Sequence, residues 1–127
     1  MIAGVGVDIV KAERFEKISD RFCEKVFTPR ECEYLAGKPA ESAAGIFAAK
    51  EAVAKALGTG FSGFFPRDIE ILHENSGKPY VVLYGNAKKI AKKTARCGGR
   101  RGRRVCIHIS ISHTKTDAIA YAVCERG

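Results

Sequence analysis

The chain has 127 residues, of which 46% are hydrophobic, and its 22 basic against 14 acidic side chains leave a net charge of +8. That is apolar material for one compact core rather than two, so a single domain over residues 1–127 is expected. No run nears the roughly 20 apolar residues that span a bilayer, and five cysteines without a Cys-x-x-Cys pair argue against a disulfide framework or a zinc knuckle.

The start is a glycine-punctuated strand rather than a charged leader with an apolar core, so the cytoplasm is the expected location and the thiols are expected to be reduced packing residues. Over residues 1–10, Val5, Val7 and Ile9 alternate with Gly4, Gly6 and Asp8 in the period of a β-strand. One face is apolar and the other is bare except for Asp8, which leaves room for a helix backbone or a ligand to come close. Over 12–27, Phe15, Ile18, Phe22 and Val26 recur at helical spacing, and Arg14, Lys17, Arg21 and Lys25 form a cationic stripe beside them. Thr28 as N-cap, Pro29 and Glu31 as capping box open the next helix, which closes near Gly37.

The stretch 45–60 reads as an alanine-rich helix with Ile46, Ala49, Val53 and Leu57 on its apolar stripe. Glu51 lies nearly opposite Ala49 and Val53, and Lys55 follows it one turn later. On its own this is an exposed pair worth roughly 0.2–0.5 kcal/mol. Residues 69–72 and 80–84 read as a hairpin around a turn at 74–79. Asn86 then caps a helix to about Arg96, with Ala87, Ile90, Ala91 and Ala95 inward and Lys88, Lys89, Lys92 and Lys93 outward. The arginine- and glycine-rich segment 98–104 reads as a solvated loop. In 105–113, Val105, Ile107, Ile109 and Ile111 share one strand face, and Cys106, His108, Ser110 and Ser112 share the other. His113 stands where that strand hands over to a polar turn at 114–117, and a last strand over 118–124 is expected to pair with it. Hydroxyls, an imidazole and a lysine at a strand end suit phosphate oxygens. The sum is an α+β domain.

In this order Gly4-Val5-Gly6-Val7-Asp8-Ile9-Val10 with Arg14, Phe27-Thr28-Pro29-Arg30-Glu31, Phe47-Ala48-Ala49-Lys50-Glu51-Ala52 through Lys55 and Gly58-Thr59-Gly60, Ser76-Gly77-Lys78-Pro79-Tyr80, and Ser110-Ile111-Ser112-His113-Thr114 resemble the holo-acyl-carrier-protein synthases. These are the small trimeric class of 4′-phosphopantetheinyl transferases, and the resemblance runs nearly end to end. It implies long helices packed on a largely antiparallel sheet, and transfer of 4′-phosphopantetheine from coenzyme A to a serine of apo acyl carrier protein with release of adenosine 3′,5′-bisphosphate. Such a displacement loads charge on phosphoryl oxygens, which a divalent cation offsets. Magnesium is usually held by one or two carboxylates plus water and phosphates. Asp8 and Glu51 are the expected Mg2+ pair and Lys55 the phosphate-neutralising group, the three forming the expected catalytic set. Lys50 has no assigned place, and the base for the serine stays open among a metal-bound water, Glu51 and Asp8.

The resemblance further implies that Lys55, Gly58, Lys78, Pro79, Ser112, His113 and Thr114 contact coenzyme A, with Lys78 and Pro79 near the adenine and Ser112 and His113 by the nucleotide and its 3′-phosphate. It also implies a homotrimer with active sites between subunits, so that Asp8 and the Glu51 helix can meet across chains. The acidic carrier would dock on Arg14, Lys17, Arg21 and Lys25, where complementary charge speeds and orients encounter. One departure stands out, because the position before Phe47, commonly arginine in these synthases, is Ile46. Two other readings compete: a basic RNA-binding module, and a metal-dependent phosphoryl-transfer enzyme acting on a nucleotide. Against the first, no recognised nucleic-acid module appears and aromatics do not interleave the basic cluster, so no nucleic-acid partner is expected. Against the second, a small-molecule enzyme has no need of the basic stripe.

Overall fold

Two glycines set how the main layers meet. A methyl group added at Gly4 would collide with the carbonyl oxygen of Ala56, and one at Gly6 with that of Ala52. The bare face of the first strand is therefore filled by a helix backbone, one of the two occupants its glycines allow. The structure, a computed structural model, describes residues 1–96 and 104–127, without the side chains at 95 and 96. The inward place of Ala95, the cysteine at 97 and the loop at 98–103 lie outside the described residues.

Along the chain run β1 (Ile2–Lys11), α1 (Asp20–Val26), α2 (Pro29–Leu35), α3 (Ala40–Ala56), β2 (Ile69–His73), β3 (Pro79–Leu83), α4 (Gly85–Arg96), β4 (Val105–His113) and β5 (Asp117–Arg126). One antiparallel sheet has the order β1-β5-β4, and β2 and β3 form a separate antiparallel hairpin. The last strand pairs with β4 as expected and also with β1, which puts it at the centre. Across the sheet, Asp8 faces Ala120 and Ala120 faces Ile111, and the next row is Val10, Ala118 and His113. Ala118, Ala120, Ala122 and Cys124 of β5 are buried, as is most of α3. Helix α3 crosses the sheet obliquely, because its Gly45 meets Ile111 and His113 on β4 whereas Ala52 and Ala56 meet β1. Small residues on both sides permit this close seating. The other face of the sheet is bare, leaving Val5, Val7, Ile9, Ile119 and Tyr121 exposed.

Two sequence expectations are corrected. The helix over 12–27 is two pieces, a 3₁₀ turn at Ala12–Phe15 and α1, because Ser19 caps α1 by accepting the backbone N–H of Phe22 at 3.1 Å. Among the described residues the long helices are accordingly α3, with 17 residues, and α4, with 12. Asn86 lies inside the first turn of α4, where its amide donates to the Gly63 carbonyl at 3.1 Å rather than capping. The capping box of α2 is present as expected. Among the described residues no helix is long and apolar enough to cross a membrane.

Candidate active site

Asp8 shares the α3 side of β1 with Gly4 and Gly6, so the glycines that admit the helix also bring its polar edge to the carboxylate. Lys55 Nζ donates to Asp8 Oδ1 at 3.2 Å and to the Val7 carbonyl at 2.9 Å. Glu51 lies one turn earlier on α3. Burial chiefly, and then the charge of Asp8, push its carboxyl above the ordinary range, while Lys55 and Arg14 pull the other way. Asp8, Glu51 and Lys55 thus meet within one chain. Arg14, on the 3₁₀ turn that follows β1, holds its guanidinium 5.4 Å above the Phe47 ring. It belongs to this neighbourhood rather than to a stripe on α1.

A Glu51 carboxyl whose ionisation cost is raised beside another acid fits a divalent cation, which removes that cost. Among the described residues no group of three or more His, Cys, Asp or Glu side chains stands together. The donor set therefore suits a hard ion that takes its other ligands from water and substrate oxygens, as Mg2+ does.

Lys50 precedes Glu51 in sequence and points into the core. Its ammonium is wholly buried 2.7 Å from Glu31 Oε1 and donates to the carbonyls of Ile69 and, at 3.0 Å, Pro66. Burial pulls its pKa down against the pull of Glu31. Glu31 also accepts from the Thr28 and Ile71 amides, both at 2.8 Å. This pair ties α3 to α2 and β2, and sequence reasoning left Lys50 unplaced. The signal was available, since Lys50 falls among Ile46, Val53 and Leu57 on the buried side of the helix.

The remaining expected ligand contacts divide. Lys55 and Gly58 stay with the carboxylates at the β1 edge, and Gly58, with φ +87°, ends α3 by donating its N–H to the Lys55 carbonyl at 2.9 Å. His113 and Pro79 stand at the opposite edge, sharing a small pocket of about 170 Å³ with Tyr34, Ser42, Ile46, His73, Gly77 and Ile111. Lys78 is exposed in the adjoining hairpin turn. Ser112 faces the other side of the sheet, opposite Ile119, and so does not share the His113 pocket. The Thr114 hydroxyl closes the β4–β5 turn by accepting from the Thr116 and Asp117 amides. With β5 between the two edge strands, the backbones at Asp8 and His113, one row apart, are about 12 Å apart across the sheet, and α3 fills the space above.

The four expected docking cations also part. Arg14 sits by Phe47, Lys17 follows the 3₁₀ turn, and only Arg21 and Lys25 lie one turn apart on α1. Those two line an open groove of about 1040 Å³ with Phe65, Arg67, Glu70 and Tyr84. Burial alone would raise the Glu70 carboxyl, but bonds from Thr28, Tyr84 and Arg30 hold it below the ordinary range. That acid is spent inside the groove wall, and the lining also holds Glu24 and Asp68 beside its three basic side chains.

Comparison with known proteins adds a second line of support. The profile of the 4′-phosphopantetheinyl transferase superfamily matches residues 4–119. A holo-[acyl-carrier-protein] synthase of Clostridium perfringens is 47% identical over 130 aligned positions, covering 98% of this chain and 95% of the relative. Among solved structures, the holo-[acyl-carrier-protein] synthase of Neisseria meningitidis superposes with a TM-score of 0.82 at 32% identity, covering 98% of this chain and 99% of that one. The synthase of Bacillus anthracis, solved in complex with CoA (3′,5′-ADP), gives 0.78 at 34% identity, covering 100% and 99%.

Proposed function

The chain belongs to the holo-[acyl-carrier-protein] synthases of the 4′-phosphopantetheinyl transferase superfamily, and from that premise we propose that it moves 4′-phosphopantetheine from coenzyme A to a serine of an apo acyl carrier protein, in the cytoplasm and with Mg2+. The observation that carries the chemistry is the convergence of Asp8, Glu51 and Lys55 where β1 meets α3. The serine oxygen bonds to the β-phosphorus, the bond from that phosphorus to the bridging oxygen breaks, adenosine 3′,5′-bisphosphate leaves with that oxygen, and the serine proton is released. Asp8 and Glu51 would hold Mg2+, which would supply charge neutralisation for the pyrophosphate. Lys55 Nζ, already aimed between Asp8 and the strand backbone, adds a second positive charge beside them.

The nucleotide end is taken by the Pro79–His113 pocket. In one chain that pocket and the carboxylates lie at opposite edges of the sheet, which favours a site completed by a neighbouring copy. The exposed Val5, Val7, Ile9, Ile119 and Tyr121 give such copies an apolar face to share, and a homotrimer closes the arrangement. Arg21 and Lys25, with the groove they line, receive an acidic carrier.

The test is to incubate the protein with coenzyme A, Mg2+ and apo acyl carrier protein and to weigh the carrier by mass spectrometry. A gain of one phosphopantetheine that disappears in Asp8→Ala and Glu51→Ala is expected. No gain with any of several carriers, together with steeply salt-dependent RNA binding, would replace this reading by the RNA module.

A further inference from the structure

Charge is divided unevenly along the chain. Between Glu74 and Asp117 the sequence holds eleven of the 22 basic side chains and none of the 14 acidic ones, so the remainder, with eleven basic against 14 acidic, carries a net −3. The positive excess of this protein therefore lies in one stretch, and α4 is the described helix within it. Its Ala87 and Ala91 are buried and Ile90 is half-buried, whereas Lys88, Lys89, Lys92 and Lys93 are all exposed. With 3.6 residues per turn, the four lysines fall within about 140° on the back of the helix.

That face weakens its own helix. Lys88 and Lys92, like Lys89 and Lys93, are one turn apart and repel. The first turn has no acidic residue to complement the helix dipole. None of the four ammonium groups forms an ion pair among the described residues. Asp68, whose carboxylate lies by Gly85 at the start of the helix, already accepts the Phe65 N–H at 3.1 Å. An anionic partner from outside the chain would relieve the repulsion.

The chemistry of the face selects among anionic partners. Nucleic acid is held by arginine forks and by stacking aromatics, and the lysine face of α4 has neither. A protein interface is built round aromatic and arginine anchors and is poor in lysine. The apolar side of α4 is spent on the core, so the helix does not insert into lipid by that side. Four point charges without an anchor fit a surface that asks for no shape. We propose that the lysine face of α4 holds the protein, by charge alone, against an anionic lipid bilayer. The attraction of each lysine fades within a Debye length, about 8 Å at physiological ionic strength, so the contact is peripheral and reversible. The helix packs against β4, at the opposite edge of the sheet from Asp8, and the contact goes beyond the function proposed above.

The experiment sediments the protein with vesicles of phosphatidylglycerol and phosphatidylcholine in equal parts, and with vesicles of phosphatidylcholine alone. It compares the unaltered protein with a variant carrying Lys88→Gln, Lys89→Gln, Lys92→Gln and Lys93→Gln together, and with one carrying Lys88→Arg, Lys89→Arg, Lys92→Arg and Lys93→Arg. The anionic vesicles should bind the unaltered protein, the neutral ones should not, and high salt should release it. Binding should weaken about fivefold for each lysine lost, and about a hundredfold or more in the glutamine variant, with the arginine variant binding as the unaltered protein does. Modification of the carrier without vesicles should be the same in all three. Binding that survives high salt or the loss of the four lysines, or that is equal on neutral vesicles, would overturn the proposal. So would an unaltered protein that binds no vesicle: a glutamine variant that then loses duplex RNA would make the face a nucleic-acid contact, and one that slows modification of the carrier would make it a carrier contact.

Discussion

The β1 edge and the β4 edge of one three-stranded sheet carry opposite kinds of chemistry. At β1, Asp8 and Glu51 press two acids together beside Lys55, with Glu51 held above its ordinary pKa by burial and by Asp8. At β4, His113, His73 and Pro79 line a small pocket with Tyr34, Ser42 and Ile111 and without a lysine, arginine or carboxylate. The first edge concentrates charge, whereas the second offers a pocket without a lysine or arginine in its lining. The difference teaches that neither edge carries both the acids and the pocket, which is why the proposed site joins the edges of neighbouring chains.

The comparison can be broken or sharpened from several sides. The largest effect is expected at Lys50→Met, which strands the buried Glu31 carboxylate and should destabilise the fold by about 3–5 kcal/mol in denaturant titrations. It takes both edges down together, whereas loss of one function alone would contradict its structural role. Next, Asp8→Ala should slow turnover about a hundredfold or more in the carrier mass assay.

The smallest effect is on stability. Because the folded-state pKa of Glu51 is raised, the folded chain binds more protons than the unfolded one between the unfolded carboxylate value and the raised one, and stability falls as pH rises through that window. Glu51→Gln should therefore raise the melting temperature at pH 7, with the gain vanishing below about pH 4. Added Mg2+ should raise the melting temperature of the unaltered protein and leave that of Glu51→Gln where it was.

Much of the β1 edge was legible in the sequence. Alternating Gly4, Gly6 and Asp8 announced a face made for close approach, and the spacing of Glu51 and Lys55 put both on one side of a helix. The sequence could not say which strand face the helix would cover. The apolar one, Val5, Val7 and Ile9, turned outward because only the glycine face lets the alanine-lined helix sit close. The break before α1 was hidden by apolar spacing that runs unbroken through Phe15, Ile18, Phe22 and Val26, with Ser19 as its one sign. The division of the ligand residues was not legible either. It follows from β5 inserting between β1 and β4, a pairing that local patterns do not encode.

The most direct measurement co-expresses Asp8→Ala and His113→Glu chains and follows carrier modification by the mixed assembly. Each variant alone should be nearly inactive. If the carboxylates of one chain work with the pocket of its neighbour, random mixing in a closed ring rebuilds about one quarter of the sites, and activity returns to that level. Mixed assemblies as inactive as the separate variants would show that both edges serve one site within a single chain, and would contradict the account.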